Sequence, residues 1–257
     1  MDALGTEWGY APVVERFVEQ GLVLSSVDYG ESDRIVTLLT AGKGKLCAFA
    51  NGARKSKRRF AGALEPFTLV RAQLVERNGA TFRLDSVEIE RGFYAIRESL
   101  PRISRALYCL ELCRELTRDH EPQLDLYRTL LEYLELLEAN RAGPTSLIAF
   151  ELRILALAGL MPRFSGCARC GGAATAPLRF DPEHGGVVCP PCQARVPSGV
   201  PVALEVVQAL ETIQRGVRKP MPPEQRERSR ELLNLFIAHQ LGRPLKSVEF
   251  MAQVGLD

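Results

Sequence analysis

The stretch from Phe67 to Glu90 reads FTLVRAQLVERNGATFRLDSVEIE and predicts a β-hairpin. Asn78-Gly79 separates two apolar runs, which is the strongest short-range signal for a tight hairpin turn. In the second run, apolar side chains fall on even positions up to Leu84 and on odd positions from Val87. Because side chains alternate along a strand with a period of two, this change of phase predicts a β-bulge near Asp85-Ser86.

Three shorter apolar runs precede the hairpin and predict further strands. They are Phe17 to Val27, with a break at Gly21, then Arg34 to Thr40, and Leu46 to Ala50. Five short strands with a bulge in about 75 residues are typical of a small closed barrel such as the OB-fold. An SH3-like barrel is also consistent with this pattern.

The apolar period becomes helical after residue 92. Helices are predicted at Leu100 to Thr117, Leu124 to Ala139, Pro144 to Pro162, 201–216 and 224–241. The helix that begins at Pro144 is apolar nearly all round, which predicts that it is buried centrally.

These elements predict an α+β protein of several domains, in which a Cys-rich segment interrupts the helical part. We expect the following division: an N-terminal extension at 1–15, a barrel at 16–92, a helical domain at 93–163 that resumes at 199–257, and an insert at 164–198.

The net charge of +2 conceals a strong segregation of charge. Residues 34–64 hold eight basic residues and no acidic one, whereas the rest of the chain has 25 basic against 31 acidic residues. A patch of one sign attracts polyanions. The eight bases are Arg34, Lys43, Lys45, Arg54, Lys55, Lys57, Arg58 and Arg59.

Five of these bases fall within six residues, between two strands of the predicted barrel. The acidic residues nearest in sequence to the segment are Asp33 and Glu65, so nothing within it neutralises the run. Phe49 and Phe60 bracket it, and a basic groove with aromatic faces is how such barrels hold single-stranded nucleic acid. A merely solvated basic surface is the alternative, and either phenylalanine could instead belong to the core.

Seven cysteines include two CxxC pairs with zinc-ribbon spacing. Cys167-x-x-Cys170 and Cys189-x-x-Cys192 are separated by 18 residues, and four thiolates complete the tetrahedral shell of one structural Zn²⁺. A redox dithiol or two disulfides are the alternatives. We expect His184 to be a solvated turn residue rather than a ligand. We expect Cys47, Cys109 and Cys113 to be small buried hydrophobes.

The sequence gives no indication of a membrane span, a signal peptide or an active site. The longest stretch without Asp, Glu, Lys or Arg has 11 residues, from Leu232 to Gly242, whereas a membrane helix needs about 20. Asp2 and Glu7 lie where a signal peptide would be basic, which predicts a cytoplasmic protein. Phosphate-binding, serine-hydrolase and metalloprotease motifs are absent, so we do not expect an enzyme.

Three blocks of sequence resemble the RecO family of bacterial recombination mediators. They are residues 22–40, residues 52–67, and residues 150–171 with Gly159-Leu160-Met161-Pro162 before the first CxxC. The resemblance implies an N-terminal OB-fold, a helical domain and an inserted Cys₄ zinc finger.

The resemblance also implies a function for the chain. It implies binding of single- and double-stranded DNA, annealing of complementary strands, and help in loading RecA onto DNA coated by single-stranded-DNA-binding protein (SSB) in the RecF pathway. The implied partner is RecR, and the implied location of the chain is the cytoplasm, at the nucleoid. It implies recognition of the acidic, apolar C-terminal tail of SSB, for which Arg114 and Arg118 offer a basic pair at helical spacing.

The residues then take the following roles. The eight basic residues contact phosphates, Phe49 and Phe60 stack on nucleobases, and the four CxxC cysteines hold zinc. A zinc-ribbon RNA-binding or transcription-associated module without annealing activity is the alternative. A nuclease would need carboxylates for divalent metal in the basic cleft, and the segment holds none.

Overall fold

The computed structural model of the chain describes residues 15–56, 58–77, 81–196, 198–217 and 219–253. Two compact units meet in sequence between Gly92 and Phe93. Of the helices in the described ranges, none is long and apolar enough to cross a membrane.

The first unit consists of five strands that close into a barrel in the order β1-β2-β3-β5-β4. Neighbouring strands are antiparallel, except that β3 and β5 are parallel. The strands are β1 (Glu15–Tyr29), β2 (Asp33–Thr40), β3 (Gly44–Ala50), β4 (Leu69–Arg77) and β5 (Thr81–Arg91).

The predicted hairpin and its bulge are confirmed. β4 and β5 are antiparallel with Arg77 opposite Thr81, and the predicted turn residues lie outside the described ranges. Gln73 faces Ser86 and Leu74 faces Leu84, so Asp85 is the extra residue. Two further irregularities, in β1 and near the end of β5, were not predicted.

The predicted break at Gly21 is wrong, because β1 is one strand of 15 residues. Gly21 lies opposite Thr40 on β2 and opposite Val70 on β4, so the strand passes from one neighbour to the other at this point. A Cβ atom here would lie 3.4 Å from the Cβ of Leu38. The glycine thus eases a close approach inside a continuous strand.

Side chains that alternate inward fill the barrel. Val36 and Leu38 from β2 meet Leu46 and Ala48 from β3, and all four are fully buried. Phe17 packs edge-to-face on Phe82, with 5.9 Å between the ring centroids. The interior is therefore a packed core rather than a channel.

The second unit consists of helices and one small sheet. The helices are α1 (Tyr94–Arg97), α2 (Leu100–Leu116), α3 (Leu124–Glu138), α4 (Ser146–Leu157), α5 (Pro190–Gln193), α6 (Leu204–Gln214), α7 (Pro223–Leu241) and α8 (Lys246–Gln253). The strands β6 (Leu178–Asp181), β7 (Gly186–Val188) and β8 (Val200–Val202) form a sheet in the order β7-β6-β8.

Two predicted helix boundaries are wrong. α4 ends at Leu157 rather than at Pro162, because Gly159 takes a left-handed φ of 75° and the Leu160 N–H bonds back to Leu155 at 2.8 Å. The left-handed glycine and this hydrogen bond together form a Schellman motif, which ends the helix. The helix predicted from residue 201 begins at Leu204, because the preceding residues pair with β6 instead.

Central burial of α4 is confirmed, and the helix carries a buried charge. Glu151 is fully buried and accepts hydrogen bonds from the Tyr108 hydroxyl of α2 and from Arg230 of α7. The guanidinium of Arg230 also lies 4.9 Å from the centroid of the Tyr108 ring. These contacts fix three helices around one carboxylate, and removing one partner of a buried pair typically destabilises by about 3–5 kcal/mol.

The carboxylate of Glu111 on α2 binds the start of helix α8. This helix was not predicted. Glu111 accepts the backbone N–H groups of Lys246 at 3.1 Å and Ser247 at 2.8 Å. Burial alone would raise the pKa of Glu111, but a hydrogen bond from the Ser247 hydroxyl at 2.6 Å, together with the two backbone bonds, outweighs burial and lowers the pKa. The side chain therefore caps α8 in its charged form.

Candidate nucleic-acid interface and cysteine cluster

The basic run lies on the loop between β3 and β4, and apolar side chains anchor this loop in the barrel. Phe60, Ala63 and Leu64 are at most 3% exposed and belong to the barrel core. The Val87 N–H of β5 also donates to the Arg59 carbonyl at 3.3 Å. The loop is therefore a fixed part of the barrel surface.

The start of the loop is bound to the turn between β1 and β2. Asp33 accepts the Gly52 N–H at 2.7 Å, and the Arg54 N–H donates to the Ser32 carbonyl at 3.0 Å. The Gly52 hydrogen bond, with one from the Ser32 hydroxyl, lowers the pKa of Asp33. Gly52 has φ 67°, a conformation that favours glycine.

Two carboxylates outside the basic segment neutralise part of it, so the expectation of an unneutralised run is wrong. Arg34 pairs with Asp28 at 3.0 Å and with Glu65 at 3.1 Å, and Arg54 lies 3.4 Å from Asp28. The hydrogen bond that Arg34 donates to the Glu65 carboxylate is the main cause that raises the pKa of Arg34. Asp28 is brought close because it faces Arg34 across the β1–β2 pair.

Other basic side chains have aromatic or backbone contacts. The ammonium of Lys43 lies 4.3 Å from the centroid of the Phe17 ring. Arg59 lies over the Phe60 ring at 5.0 Å and donates to the Asn51 carbonyl at 2.7 Å. Lys45 is half-buried on β3.

Arg59 is exposed but bound to the Asn51 carbonyl, so the exposed cations of this loop without such a contact in the described ranges are Lys55 and Arg58. Within the described ranges, neither has a carboxylate within ion-pair distance. Lys57 lies outside the described residues. Lys55 and Arg58 are therefore where the described part of the loop presents free positive charge to solvent.

The structure separates the two predicted stacking residues. Phe60 is 3% exposed in the barrel core, so its prediction as a base-stacking residue is wrong: the loop folds back to bury it. Phe49 is half-buried, and its ring meets that of Tyr29 edge-to-face with 5.6 Å between centroids. Tyr29 is 55% exposed and was missed, although its alternation with Val27 along β1 signals a shared outer face.

The two CxxC pairs come together as one cluster. The sulfur atoms of Cys167, Cys170, Cys189 and Cys192 all lie within 4.8 Å of one another. The Cys170 and Cys189 sulfurs are 3.7 Å apart, and all four cysteines are free of disulfides. Adjacent corners of a tetrahedral shell with Zn–S bonds of about 2.3 Å are separated by about 3.8 Å, so the spacing fits zinc.

Backbone hydrogen bonds favour the thiolate form at Cys167. Burial alone would raise the pKa of this thiol, but N–H groups of Cys170, Cys189 and Arg169 outweigh burial and lower the pKa to about 6. Gly171 follows the first pair with φ 74°, which lets the turn close around the sulfur atoms. A thiolate is the form that binds metal.

The remaining cysteines and His184 are not members of the cluster. Cys109 and Cys113 are fully buried, as predicted, and burial raises the pKa of both thiols. Cys47 is exposed on β3, so its predicted burial is wrong: it lies on the outer face of the barrel. His184 contacts the buried carboxylate of Asp181 at 2.5 Å.

The second unit carries a groove of about 810 Å³ between α3, α4 and the end of α6. Its apolar lining includes Phe150, Met161 and Val217. Arg128 and Arg153 also line it, are exposed, and have no carboxylate within ion-pair distance among the described residues. Asp125 and Glu132 line the groove too, so it combines an apolar floor with charged side chains of both signs.

The basic pair that was predicted at Arg114 and Arg118 is not a helical pair. α2 ends at Leu116, so Arg118 lies beyond the helix. Arg114 is bonded to Glu115 at 3.0 Å and lies 3.9 Å from Glu111. These neighbours neutralise Arg114, whereas Arg128 and Arg153 of the groove have no carboxylate partner in the part of the chain that the structure describes.

Comparisons with known proteins agree across nearly the whole chain. The family models "Recombination protein O N terminal" and "Recombination protein O C terminal" match residues 15–93 and 97–249. DNA repair protein RecO of Myxococcus xanthus is 62% identical over 244 residues, which cover 95% of this chain and 100% of that protein. DNA repair protein RecO of Geobacter sulfurreducens is 37% identical over 239 residues, which cover 91% and 97%. The chain belongs to the RecO family.

Proposed function

We propose that this chain is a non-enzymatic DNA repair and recombination mediator. It binds single- and double-stranded DNA, anneals complementary strands, and helps RecA load onto SSB-coated DNA in the RecF pathway, with RecR as partner, in the cytoplasm at the nucleoid. The observation that carries this proposal is the pair of free cations, Lys55 and Arg58, on a loop anchored in the barrel of a RecO-family chain.

The barrel is an OB-fold in this proposal. Closure in the order β1-β2-β3-β5-β4, with a parallel β3–β5 contact, supports this assignment. The proposed domains are the barrel at 16–92, the helical domain at 93–163 and 199–257, and the zinc-binding insert at 164–198, after an extension at 1–15.

We assign the phosphate contacts unequally among the eight bases. Lys55, Lys57 and Arg58 make the main contacts. Lys43, Lys45, Arg54 and Arg59 contribute positive potential while they also hold the barrel surface in place. Arg34 positions the loop, because two carboxylates already satisfy its guanidinium.

The four clustered cysteines hold one structural zinc ion in this proposal. Their spacing and the thiolate character of Cys167 support the assignment. A closed Cys₄ shell leaves no open position for a reacting water. The zinc would then stabilise the insert rather than take part in chemistry.

Strand annealing tests the proposed function. Purified protein is expected to speed the pairing of complementary oligonucleotides without ATP, both alone and when SSB coats the strands, because it has to hold two polyanions and screen their charges. A rate equal to that of protein-free DNA would contradict the proposal. Binding confined to RNA, without annealing, would support the alternative of an RNA-binding module.

The groove of the helical unit is the proposed site for the C-terminal tail of SSB. An acidic, apolar tail matches an apolar floor that has free arginines. Arg128 and Arg153 would pair with its carboxylates, while its apolar side chains would cover Phe150 and Met161.

A double substitution tests this site. Arg128→Ala with Arg153→Ala is expected to weaken SSB binding about tenfold, the effect of losing two partly exposed ion pairs. Fluorescence anisotropy with a labelled tail peptide measures it. Arg114→Ala with Arg118→Ala, which also removes two charges, should bind normally. Equal affinity for intact SSB and for SSB without its tail would contradict tail recognition.

A further inference from the structure

The outer face of β1, β2 and β3 carries an exposed apolar row. Val27 faces Ile35 across the first strand pair, and Ile35 faces Phe49 across the second, so each strand contributes one residue. Val27 is 61% exposed, while Ile35 and Phe49 are half-buried. Tyr29 adds a ring that is 55% exposed and lies against Phe49. We call these four residues the aromatic row, after the rings of Tyr29 and Phe49.

The barrel core does not require the aromatic row. The residues that alternate with it, such as Val36 on β2 and Ala48 and Ala50 on β3, point inward and are fully buried. A contiguous exposed apolar patch on a soluble domain commonly marks a binding surface. The aromatic row therefore requires an explanation in terms of a ligand.

Charge around the aromatic row indicates a polyanion. Tyr29 lies opposite Asp33, whose carboxylate binds the start of the basic loop at Gly52, so the loop begins next to the aromatic row. Lys45 lies on the same strand as Phe49, toward the other end. Two of the carboxylates beside the aromatic row are occupied, because Asp28 pairs with arginines and Asp33 accepts the Gly52 N–H. The third, Glu31, is exposed in the turn between β1 and β2.

We propose that Tyr29 and Phe49, flanked by Val27 and Ile35, form a base-stacking platform that makes the barrel prefer unpaired bases. The inference rests on the proposed function, since it names how DNA binds at the same barrel. Stacking of bases on aromatic rings tolerates any sequence, because every base has a flat face. In a duplex those faces are already covered by neighbouring base pairs, so the platform would act only on single strands.

The test compares Tyr29→Ala with Tyr29→Phe on three probes: a single-stranded oligonucleotide, the same strand with abasic sites, and a duplex. Tyr29→Ala is expected to weaken binding of the normal strand about tenfold, within the range for one lost stacking contact. Binding of the abasic strand and the duplex should not change, and neither should the salt dependence. Tyr29→Phe should bind like wild type, since it keeps the ring.

Val18→Ala is the matched control, because Val18 is also on β1 and is 57% exposed. Its DNA binding should equal that of wild type, and thermal unfolding should show that all three variants fold. Wild-type affinity of Tyr29→Ala for the normal strand would overturn the platform but leave the proposed function intact. Equal losses of affinity for the normal and the abasic strand would also overturn the platform, because the lost contact would then not involve a base. No DNA binding by the wild-type protein would instead refute the proposed function.

Discussion

Cys189→Ser is expected to release the metal from the insert and to destabilise the insert around the cysteine cluster. The small core around the cluster consists of Cys167, Val188, Cys189 and Val196, with Cys192 packed against it, so half of its buried residues are themselves cysteines of the cluster. Without the ion, the four sulfur atoms lose the group that joins them, while Phe164 and Phe180 still pack on each other and Phe180 on Phe236 of α7. We therefore expect the loss of order to be greatest around the cluster. Structural zinc sites of this kind contribute about 10–16 kcal/mol of apparent binding free energy, which is coupled to folding.

Metal analysis and limited proteolysis measure this effect. Wild-type protein is expected to hold one zinc ion per chain and to resist cleavage within residues 164–198. The Cys189→Ser protein should hold none and be cut there. Cys47→Ser is the matched control, since Cys47 is exposed on the barrel and is not one of the four clustered cysteines. A folded wild-type protein with no metal and four titratable thiols in the insert would contradict the assignment.

Removing the charge of the basic loop is expected to have the largest effect on DNA binding. The variant replaces five residues by alanine: Arg54, Lys55, Lys57, Arg58 and Arg59. Loss of roughly three phosphate contacts, each with a salt slope of about 0.7, should weaken single-strand binding about a hundredfold near 0.1 M salt. Annealing should slow in parallel, because both strands have to be held. Fluorescence anisotropy and an annealing assay measure these effects.

Two further variants separate charge from loop structure. Arg54 and Arg59 contact the carbonyls of Gly30, Glu31 and Asn51, so replacing them also removes hydrogen bonds. Lys55→Ala with Arg58→Ala leaves those contacts in place and should show part of the loss. The groove variant of Arg128 and Arg153 also loses two positive charges, yet it should bind DNA normally and fail only with SSB.

Some features could be predicted from the sequence because a local pattern specifies them. The phase change between Leu84 and Val87 predicted a bulge near Asp85-Ser86, and the structure has it at Asp85, since alternation along a strand depends on its own residues. The spacing of the CxxC pairs predicted the cluster for a similar reason. Each pair closes its own turn, and only the meeting of the two turns depends on the fold.

Other features depend on contacts between distant residues and could not be predicted. The burial of Phe60 depends on how its loop folds back over the barrel. A phenylalanine that follows five basic residues gives the same local sequence pattern whether it lies in the core or on the surface. The pairing of Asp28 with Arg34 and Arg54 requires the β1–β2 register. Pairing with β6 likewise overrode the helical pattern that begins at residue 201.

The measurement that most directly tests the central claim is the salt dependence of single-strand binding by wild type and by the five-residue loop variant. Each lost phosphate contact lowers the slope of log K against log salt by about 0.7, so the variant should show a slope about two units shallower. The loss should be the same for every sequence, because phosphates carry no sequence information. A variant that keeps both the slope and the affinity of wild type would show that the loop is a solvated surface and that DNA binds elsewhere.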